Sequence, residues 1–334
     1  MKVLVIGGTG LISGSAMRLL KRQGHSVTVF HRGHTPLETP GVSEILGDRQ
    51  NRRDFEAKLR PLRFDAVIDS ILFTPEDAAS TLRAFAGRVK HYQFVSTVCA
   101  VGAPLVKIPS DETEPYQPVS GYGRNKAAAE KLLLNAHRKS GFPVCIVRPS
   151  HTYGPGARWA LGTFLSDWGT DCELYNRILR GKGVIVHGDG ENLWQSCIAD
   201  EVAEGMVGAL ARKKTLGQIY NLCGHEVVTW DQFYAKVGQA LGKKPRIFHL
   251  PTEAILAGAP ESATGFLKDI ARYHGAYSIA KAQRDIPEFR PRTPLEKGVK
   301  THFNWVKSRG YLHQAPPRPF EDRLVKVAAS LLKK

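Results

Sequence analysis

The sequence contains few cysteines and no long apolar stretch. Its five cysteines among 334 residues show none of the close pairings typical of zinc sites or of disulfide-linked secreted domains. No stretch reaches the roughly 18 apolar residues that a membrane-spanning helix needs. The apolar run Val3–Ile6 is too short for the core of a signal peptide. We therefore expect a cytoplasmic protein that neither enters a membrane nor relies on disulfides.

Acidic residues are scarce relative to basic ones, which leaves a formal net charge of +16. Such a charge suits a nucleic-acid partner, an anionic small molecule or a solvated basic surface. The basic clusters lack the interleaved aromatic residues on which bases stack. A nucleic-acid partner is therefore the least favoured of the three, although it stays open. These clusters are Arg49–Arg53, Arg212–Lys214, Lys243–Arg246 and Lys333–Lys334.

The first half of the chain alternates short apolar strands with helices. This repetition predicts an α/β fold with a doubly wound parallel sheet and helices on both faces. The two clearest helices are predicted at Leu11–Gln23 and Gly123–Lys139. The predicted strands are Lys2–Ile6, Ser26–His31, Ser43–Leu46, Ala66–Asp69, His91–Ser96 and Val144–Arg148.

This alternation stops after Arg148, where glycine, proline and tryptophan become frequent. A later strand at Gln218–Leu222 is placed to rejoin the sheet, and helices are predicted at Thr229–Leu241 and Pro319–Leu332. The second half therefore indicates a smaller, discontinuous C-terminal lobe that binds substrate. The predicted division gives residues 1–165 and about 195–228 to the first domain, and about 166–194 and 229–334 to the lobe.

The N-terminal segment combines a buried strand, a glycine-rich turn and the start of a helix. Val3–Ile6 is followed by Gly7-Gly8-Thr9-Gly10, after which the first helix begins. A tight turn here lets the backbone approach a pyrophosphate, and the helix N-terminus supplies N–H donors and the positive end of its dipole. An ordinary turn does not need three glycines in four positions. The segment therefore predicts a dinucleotide-binding domain.

Four side chains indicate chemistry at one edge of the predicted sheet. Tyr122 and Lys126 lie four residues apart, which places them on one helix face. A nearby ammonium stabilises a phenolate and lowers the pKa of a tyrosine toward neutral pH. Ser96 and Thr97 end the preceding strand, at the carboxyl edge where such sheets bind ligands. By themselves, these residues also fit a surface Tyr–Lys pair and a strand-end cap.

Together, these motifs resemble the extended short-chain dehydrogenase/reductase family, which contains sugar-nucleotide epimerases and dehydratases. They occur in that family's order and spacing over nearly the whole chain. The resemblance implies a Rossmann-type fold, bound NAD(P), and an oxidoreductase or epimerase that acts on a hydroxyl or keto carbon of a sugar or sugar-nucleotide-like substrate. The motifs are Gly7–Gly10, Phe94–Thr97, Tyr122 with Lys126, Arg148–Gly156, and Gly188-Asp189-Gly190 followed by Asp200.

The resemblance also implies roles for individual residues. Tyr122 corresponds to the catalytic acid and base, and Lys126 to the lysine that lowers its pKa and binds the nicotinamide ribose. Thr97 corresponds to the catalytic hydroxyl that meets the substrate, and Asp48 to the acidic residue that meets the adenine amine. The implied cofactor contacts are Gly7, Gly10, Leu11, Ile12, Asp48, Asp69, Ser70, Ser96, Lys126, Pro149 and Ser150.

The cofactor side departs from the family pattern at two positions. Ser13 replaces the third glycine of the turn, a small change that we expect cofactor binding to survive. His31 ends the second strand, where family members that prefer NAD carry an acidic residue for the ribose 2′-hydroxyl. Arg32 follows and offers a cation for a 2′-phosphate, so we expect NADP. His31 and His34 lack a third ligand, so no metal site is expected.

The substrate side departs further from the family. Trp194 takes the place of an arginine that meets the nucleotide diphosphate, and His151 stands where an asparagine commonly binds substrate. Together with Arg158 and its neighbouring tryptophans, these residues indicate an anionic or sugar-like ligand held by stacking and a cation. The tryptophans fit a hydrophobic core equally well.

Two alternative functions and one assembly stay open. The C-terminal half, from Ile219 onward, also resembles a branch of the family that contains chloroplast RNA-binding proteins. The other alternative is an NADPH-dependent carbonyl reductase of a non-sugar substrate. Val98 and Cys99 stand where dehydratases carry an acidic residue, which disfavours dehydration. The apolar segments Ala127–Ala129 and Leu132–Leu134 favour a homodimer through the long helix.

Overall fold

The computed structural model describes residues 1–156 and 172–331. Arg158, for which a substrate contact is predicted, lies outside the described residues. The described strands are β1 (Lys2–Ile6), β2 (Ser26–His31), β3 (Ser43–Leu46), β4 (Phe64–Asp69), β5 (Val89–Val95), β6 (Val144–Pro149), β7 (His151–Tyr153), β8 (Gly183–His187), β9 (Leu193–Trp194), β10 (Ser196–Ile198), β11 (Ile219–Leu222), β12 (Val228–Thr229) and β13 (Arg246–Leu250).

Helices flank these strands throughout the described ranges. The described α-helices are α1 (Leu11–Arg22), α2 (Arg52–Leu59), α3 (Pro75–Phe85), α4 (Gly121–Ser140), α5 (Glu173–Leu179), α6 (Ala199–Ala209), α7 (Trp230–Leu241), α8 (Thr252–Gly258), α9 (Glu261–Phe266), α10 (Ala280–Asp285), α11 (Leu295–Ser308) and α12 (Pro319–Leu331). A π-helical turn, Leu267–Ala271, follows α9 directly.

A seven-stranded parallel sheet forms the centre of the fold, in the order β3-β2-β1-β4-β5-β6-β11. Its first six strands agree with the six predicted strands to within two residues at each end. Strand β11 rejoins the sheet beside β6, as predicted. The chain moves outward from β1 in both directions, so a crevice opens between the carboxyl ends of β1 and β4. The predicted Rossmann-type α/β fold is confirmed.

Strand β1 shows how the two faces of the sheet are covered. Val3 and Val5 pack into one core with apolar residues of α1 and α6. Leu4 and Ile6 pack into a second core with residues of α2, α3 and α4. All four side chains are fully buried. A strand that is covered on both faces has a continuous apolar sequence, as these four residues do.

A third apolar core holds the C-terminal lobe together. Trp230 at the start of α7 is fully buried and packs against the rings of Trp194 and Phe233. Strands β8 and β13 pair in parallel and contribute to the same core. Tyr153 and Ile198 also belong to it, although both lie inside the predicted first domain. The domain boundaries therefore stay a prediction.

One basic cluster is not a free surface. Within Arg49–Arg53, Arg49 is buried and pairs with Asp69 at 3.1 Å, while Arg52 pairs with Asp77 at 3.0 Å. Two of its three cations are therefore neutralised within the protein. This arrangement weakens the interpretation of the cluster as a nucleic-acid-binding patch.

Two features that the composition addressed are the state of the cysteines and the apolarity of the helices. All five cysteines are free thiols, and four of them are buried. None of the described helices has the length and apolarity that crossing a membrane requires.

His91 on β5 generates a prediction about pH and stability. The residue is 2% exposed, and burial lowers the pKa of its imidazole from 6.5 to about 4. In the unfolded chain the imidazole gains a proton below about pH 6.5, whereas in the folded chain it stays neutral down to about pH 4. Between these values the unfolded state binds more protons, so acid lowers the free energy of unfolding. When the pH falls from 7 to 5, the free energy of unfolding should decrease in both proteins. The decrease should be about 2 kcal/mol smaller in His91→Gln than in the wild type.

Urea denaturation at the two pH values measures this difference. His34 is exposed, so His34→Gln serves as the control and should follow the wild type. Equal losses in His91→Gln and the wild type would show that His91 does not contribute to acid sensitivity.

Candidate active site

The glycine turn between β1 and α1 has a shape that suits close approach of a ligand. Gly7 and Gly8 have φ values of +113° and +71°, which residues with side chains rarely adopt. A Cβ on Gly7 would lie 2.7 Å from Ser70 Oγ, and one on Gly8 would collide with Val29. Gly10 caps α1, whose first N–H groups have no partner within the helix. The turn therefore presents N–H donors suited to a phosphate.

The neighbours of this turn are placed consistently with cofactor binding. Ser70 Oγ donates to the carbonyl oxygen at the end of β1 at 2.8 Å, so Ser70 lies against the turn. Leu11 and Ile12 form the first turn of α1. Ser13, the replacement for the third glycine, is buried, and its hydroxyl lies 3.5 Å from the Gly10 carbonyl oxygen. A small side chain is thus accommodated here.

A histidine and a carboxylate from the next strand occupy the end of β2. His31 is buried, and its Nε2 lies 2.7 Å from Glu44 Oε2 on β3. Arg32 is exposed and, in the described part of the chain, makes no hydrogen bond or ion pair. Asp48 is also exposed and accepts the N–H of Gln50 at 2.9 Å. Sequence reasoning missed Glu44, because only strand pairing brings it beside His31.

Asp69 ends β4 at the carboxyl edge, as predicted. Its fully buried side chain pairs with Arg49 at 3.1 Å and accepts a hydrogen bond from Tyr92 Oη at 2.6 Å through Oδ2. Its Oδ1 accepts the N–H of Ile71 at 3.1 Å. Both carboxylate oxygens therefore have protein partners, and a contact of this part of the chain with the cofactor riboses stays a prediction.

Ser96 is likewise held by the protein. Its buried hydroxyl donates to Oε1 of Glu130 on α4. Glu130 is 0% exposed and also accepts hydrogen bonds from Arg148 Nε at 3.0 Å and Tyr116 Oη at 2.7 Å. The Ser96 hydroxyl is therefore engaged within the protein, and a cofactor contact of Ser96 stays a prediction. Sequence reasoning missed Glu130, although its position four residues after Lys126 was a usable signal.

The structure brings Thr97 and Tyr122 together. Thr97 directly follows Ser96 and accepts the N–H of Cys99 at 3.2 Å. Burial raises the pKa of the Tyr122 phenol, Cys99 raises it further, and the nearby Thr97 hydroxyl lowers it. Tyr122 as a whole keeps 45% exposure, so its ring stays reachable from solvent.

Lys126 lies one helical turn further along α4, in an apolar environment. It is 1% exposed, and its Nζ donates to the Val95 carbonyl oxygen at 2.8 Å. The same nitrogen lies 4.8 Å and 5.0 Å from the ring centroids of Phe94 and Phe73. Burial lowers the pKa of Lys126 from 10.5 to about 7, and the charges of Asp69 and Glu130 oppose this shift.

Lys126 also lies close to Tyr122. Its Nζ is over the face of the Tyr122 ring, 5.7 Å from the ring centroid. The expected lowering of the Tyr122 pKa by Lys126 stays a prediction.

The expected substrate residues divide between the cleft and the core. Pro149 ends β6 at the carboxyl edge, followed by Ser150. His151 is partly exposed, and burial together with His302 lowers its pKa to about 4, which keeps its imidazole neutral. Trp194 is 5% exposed and stacks on Trp230 at 4.8 Å. Trp194 therefore lies in the core, which is one of the two interpretations given for it, and its ring is 5.4 Å from that of His151. A substrate contact of Trp194 stays a prediction.

The turn, the crevice and the hydroxyl cluster lie along one edge of the sheet, and together they define a Rossmann-type dinucleotide-dependent enzyme. The model of the NAD dependent epimerase/dehydratase family matches residues 3–223, and the chain belongs to that family. This match confirms the resemblance to the extended short-chain dehydrogenases/reductases.

Similar proteins differ in function but share this framework. The 2′-dehydrokanamycin reductase of Streptomyces kanamyceticus is 29% identical over 87% of this chain and 81% of its own length. The chloroplast stem-loop binding protein of 41 kDa b of Arabidopsis thaliana is 24% identical over 92% of this chain and 80% of its own length. A structure of Thermotoga maritima UDP-glucose 4-epimerase with UDP-glucose has a TM-score of 0.74 at 20% identity and covers 92% of this chain and 99% of that one.

The burial of Lys126 generates a second prediction about stability. Because its folded-state pKa is about 7 against an ordinary 10.5, the unfolded chain binds more protons between these values and wild-type stability rises with pH. Lys126→Met removes the desolvated charge and should raise the free energy of unfolding at pH 7 by roughly 1–4 kcal/mol. Guanidinium denaturation at pH 7 and pH 9 measures this gain, which should shrink at pH 9.

Lys131→Met provides the control, because Lys131 is exposed on the same helix. It should change stability little at either pH. The proposed cost of burying the Lys126 charge would be contradicted if Lys126→Met were less stable than the wild type at pH 7 and the difference in unfolding free energy were the same at pH 9.

Proposed function

We propose that the protein is an NAD(P)-dependent oxidoreductase that interconverts a hydroxyl and a keto group on a sugar or sugar-like compound, with Tyr122 as proton donor and acceptor. The observation that carries the proposal is the placement of three side chains at the carboxyl edge of the sheet. Lys126 Nζ lies 5.7 Å from the Tyr122 ring centroid, and the Thr97 hydroxyl is near enough to the Tyr122 phenol to lower its pKa. A redox enzyme of this type needs a proton relay at that edge, beside its nucleotide.

The side chains divide the proton chemistry among them. A bound nicotinamide cofactor supplies or accepts the hydride. The Tyr122 phenol donates a proton to the substrate carbonyl oxygen during reduction and takes it back during oxidation. Thr97 holds that oxygen and the phenol in register through its hydroxyl. The raised pKa of Tyr122 favours the protonated phenol, which is the form required for carbonyl reduction.

The residues present fit such a cofactor. The positive φ values of Gly7 and Gly8 leave a cradle that a Cβ would fill, and the N-terminus of α1 lies next to it. Gly10, Leu11 and Ile12 would hold the pyrophosphate. Asp48 would meet the adenine, and Pro149 and Ser150 would border the nicotinamide.

Exposed Arg32 supports NADP as the preferred form. A guanidinium binds a phosphate through charge-assisted hydrogen bonds, and Arg32 has no competing partner among the described residues. Glu44 lies beside His31 and would oppose the phosphate. We propose that Arg32 outweighs it, since the Glu44 carboxylate is already engaged with the imidazole.

A net reductase is the form of the reaction that we favour. The relative from Streptomyces kanamyceticus is named as a 2′-dehydrokanamycin reductase. Its similarity extends over 87% of this chain. The position expected to meet a nucleotide diphosphate holds Trp194, which is buried in the core. A keto sugar without a nucleotide fits these observations better than a sugar nucleotide.

An RNA-binding function is the second candidate. The Arabidopsis thaliana relative is named as a stem-loop binding protein, and the net charge of this chain is +16. Against it, Arg49 and Arg52 are engaged in ion pairs. The Thr97, Tyr122 and Lys126 side chains have no task in RNA binding.

Tyr122→Phe tests the proposed reaction. The variant keeps the ring and loses the proton, so turnover should fall about 10²–10⁴-fold, while affinity for the cofactor stays within about threefold because the ring is preserved. Oxidation of NADPH and NADH is followed at 340 nm with a panel of keto sugars, and epimerisation is followed with UDP-glucose. Thr97→Ser retains a hydroxyl and serves as the control that should keep most of the activity.

Two outcomes would count against this proposal. Tyr122→Phe with wild-type turnover would exclude the phenol as the proton donor. Wild-type protein that turns over none of these compounds, yet binds RNA with a steep dependence on salt, would favour the RNA-binding function.

Arg32→Ala tests the form of the cofactor. Loss of a charge-assisted contact should weaken NADPH binding about 10-fold or more, whereas NADH binding should change by less than about threefold. Fluorescence titration of each nucleotide measures both constants without a substrate. Arg22→Ala removes an exposed arginine from the far end of α1 and should affect neither nucleotide. Equal weakening of NADPH and NADH by Arg32→Ala would refute the role in 2′-phosphate binding.

A further inference from the structure

We propose that Glu130 is a positioning residue for the candidate active site: its buried carboxylate joins the ends of β5 and β6 and the segment before α4 into one unit, and so fixes Thr97 relative to Tyr122. This inference rests on the proposed function, because it gives Glu130 a task within that reaction. Glu130 does not itself touch the reacting atoms.

Each contact of Glu130 reaches a different element. Ser96, directly before Thr97, donates to Oε1. Arg148, directly before Pro149 on β6, donates to Oε1 from Nε at 3.0 Å and to Oε2 from its terminal nitrogen. Tyr116, in the segment that leads into α4, donates to Oε2 at 2.7 Å. One carboxylate therefore links three parts of the chain that converge on the site.

The helix transmits this anchoring to the phenol. Tyr122, Lys126 and Glu130 are each four residues apart and share one face of α4. Their exposures are 45%, 1% and 0%, so the face runs from the open cleft into the interior. The eight residue steps from Tyr122 to Glu130 span about 12 Å along the helix. A rigid helix held at Glu130 therefore fixes where its first turn, with Tyr122, meets the end of β5.

The charge of Glu130 is as important as its shape. The Glu130 and Arg148 side chains are 0% and 1% exposed, so neither charge is compensated by water. Removal of one partner from a buried pair leaves the other uncompensated, which displaces it from its site. The Glu130 charge also raises the pKa of Lys126 against the effect of burial. Neutralising Glu130 should therefore lower the Lys126 pKa below its present value of about 7.

The test compares Glu130→Gln with a matched variant in the C-terminal lobe. Glu321 is also a buried carboxylate, 2% exposed, and pairs with Arg177 at 3.3 Å. Glu321→Gln therefore makes the same chemical change away from the site. Two quantities are measured: the pKa of Lys126 in the free protein, by NMR of ¹³C-labelled lysine, and kcat and KM for a compound that the wild type turns over.

Glu130→Gln should lower the Lys126 pKa and shift the pH profile of kcat with it. It should also lower kcat about 10-fold or more, with KM within about threefold, because misplacement affects the reaction more than ground-state binding. Glu321→Gln should leave the Lys126 pKa, kcat and KM at their wild-type values. The proposal is overturned if Glu130→Gln leaves kcat and the Lys126 pKa unchanged, or if Glu321→Gln produces the same changes.

Two further variants cover the case in which Glu130→Gln does not fold. Ser96→Ala and Tyr116→Phe each remove one contact and keep the carboxylate, so each should lower kcat by a smaller factor with KM retained. Wild-type kcat in both would overturn the proposal. The Lys126 titration needs no substrate, so it tests Glu130 even if Tyr122→Phe retains turnover and the proposed reaction fails.

Discussion

All seven strands of the central sheet run in the same direction, and the placement of every candidate functional group depends on this. A parallel sheet brings the carboxyl ends of its strands to one edge, however far apart those ends lie in the chain. The glycine turn after β1, Arg32 after β2, Asp48 after β3 and Thr97 after β5 therefore face a common crevice. Strand β11, which comes much later in the chain, extends the same sheet beside β6 and closes its far edge. The parallel direction of the strands thus brings residues from nearly half the chain to one edge of the sheet.

The second theme is the cost of removing charges and hydroxyls from water. Burial is the largest influence on the pKa values of both Tyr122 and Lys126, and it acts in opposite directions on the phenol and the ammonium. Deeper in the protein, the Glu130 and Arg148 side chains form a buried ion pair, as those of Asp69 and Arg49 do. Tyr122 and Lys126 thus lie at the edge of the sheet, and two buried ion pairs lie near them in the interior.

The sequence was sufficient for the parts of this structure that depend on local pattern. Strands buried on both faces, the glycine turn and the Tyr122–Lys126 spacing all carry their signal within a few residues, and the sheet follows from them. It was insufficient where a distant partner decides what a side chain does. Asp69 is bound by Arg49 and Tyr92, Ser96 donates to Glu130, and Trp194 stacks on Trp230. These partners lie far away in the sequence or on other elements, so only the three-dimensional arrangement reveals them.

The face of α4 that carries Tyr122, Lys126 and Glu130 also bears on how this scaffold can be altered. Solvent access along it falls from 45% to nothing within two turns. A substitution at Tyr122 is made at a partly exposed position. The same substitution two turns later meets a buried guanidinium and three chain segments. On this face of α4, substitutions intended to change selectivity are therefore best placed at the exposed start of the helix. Substitutions at the buried positions further along would also require changes in the residues that pack against them.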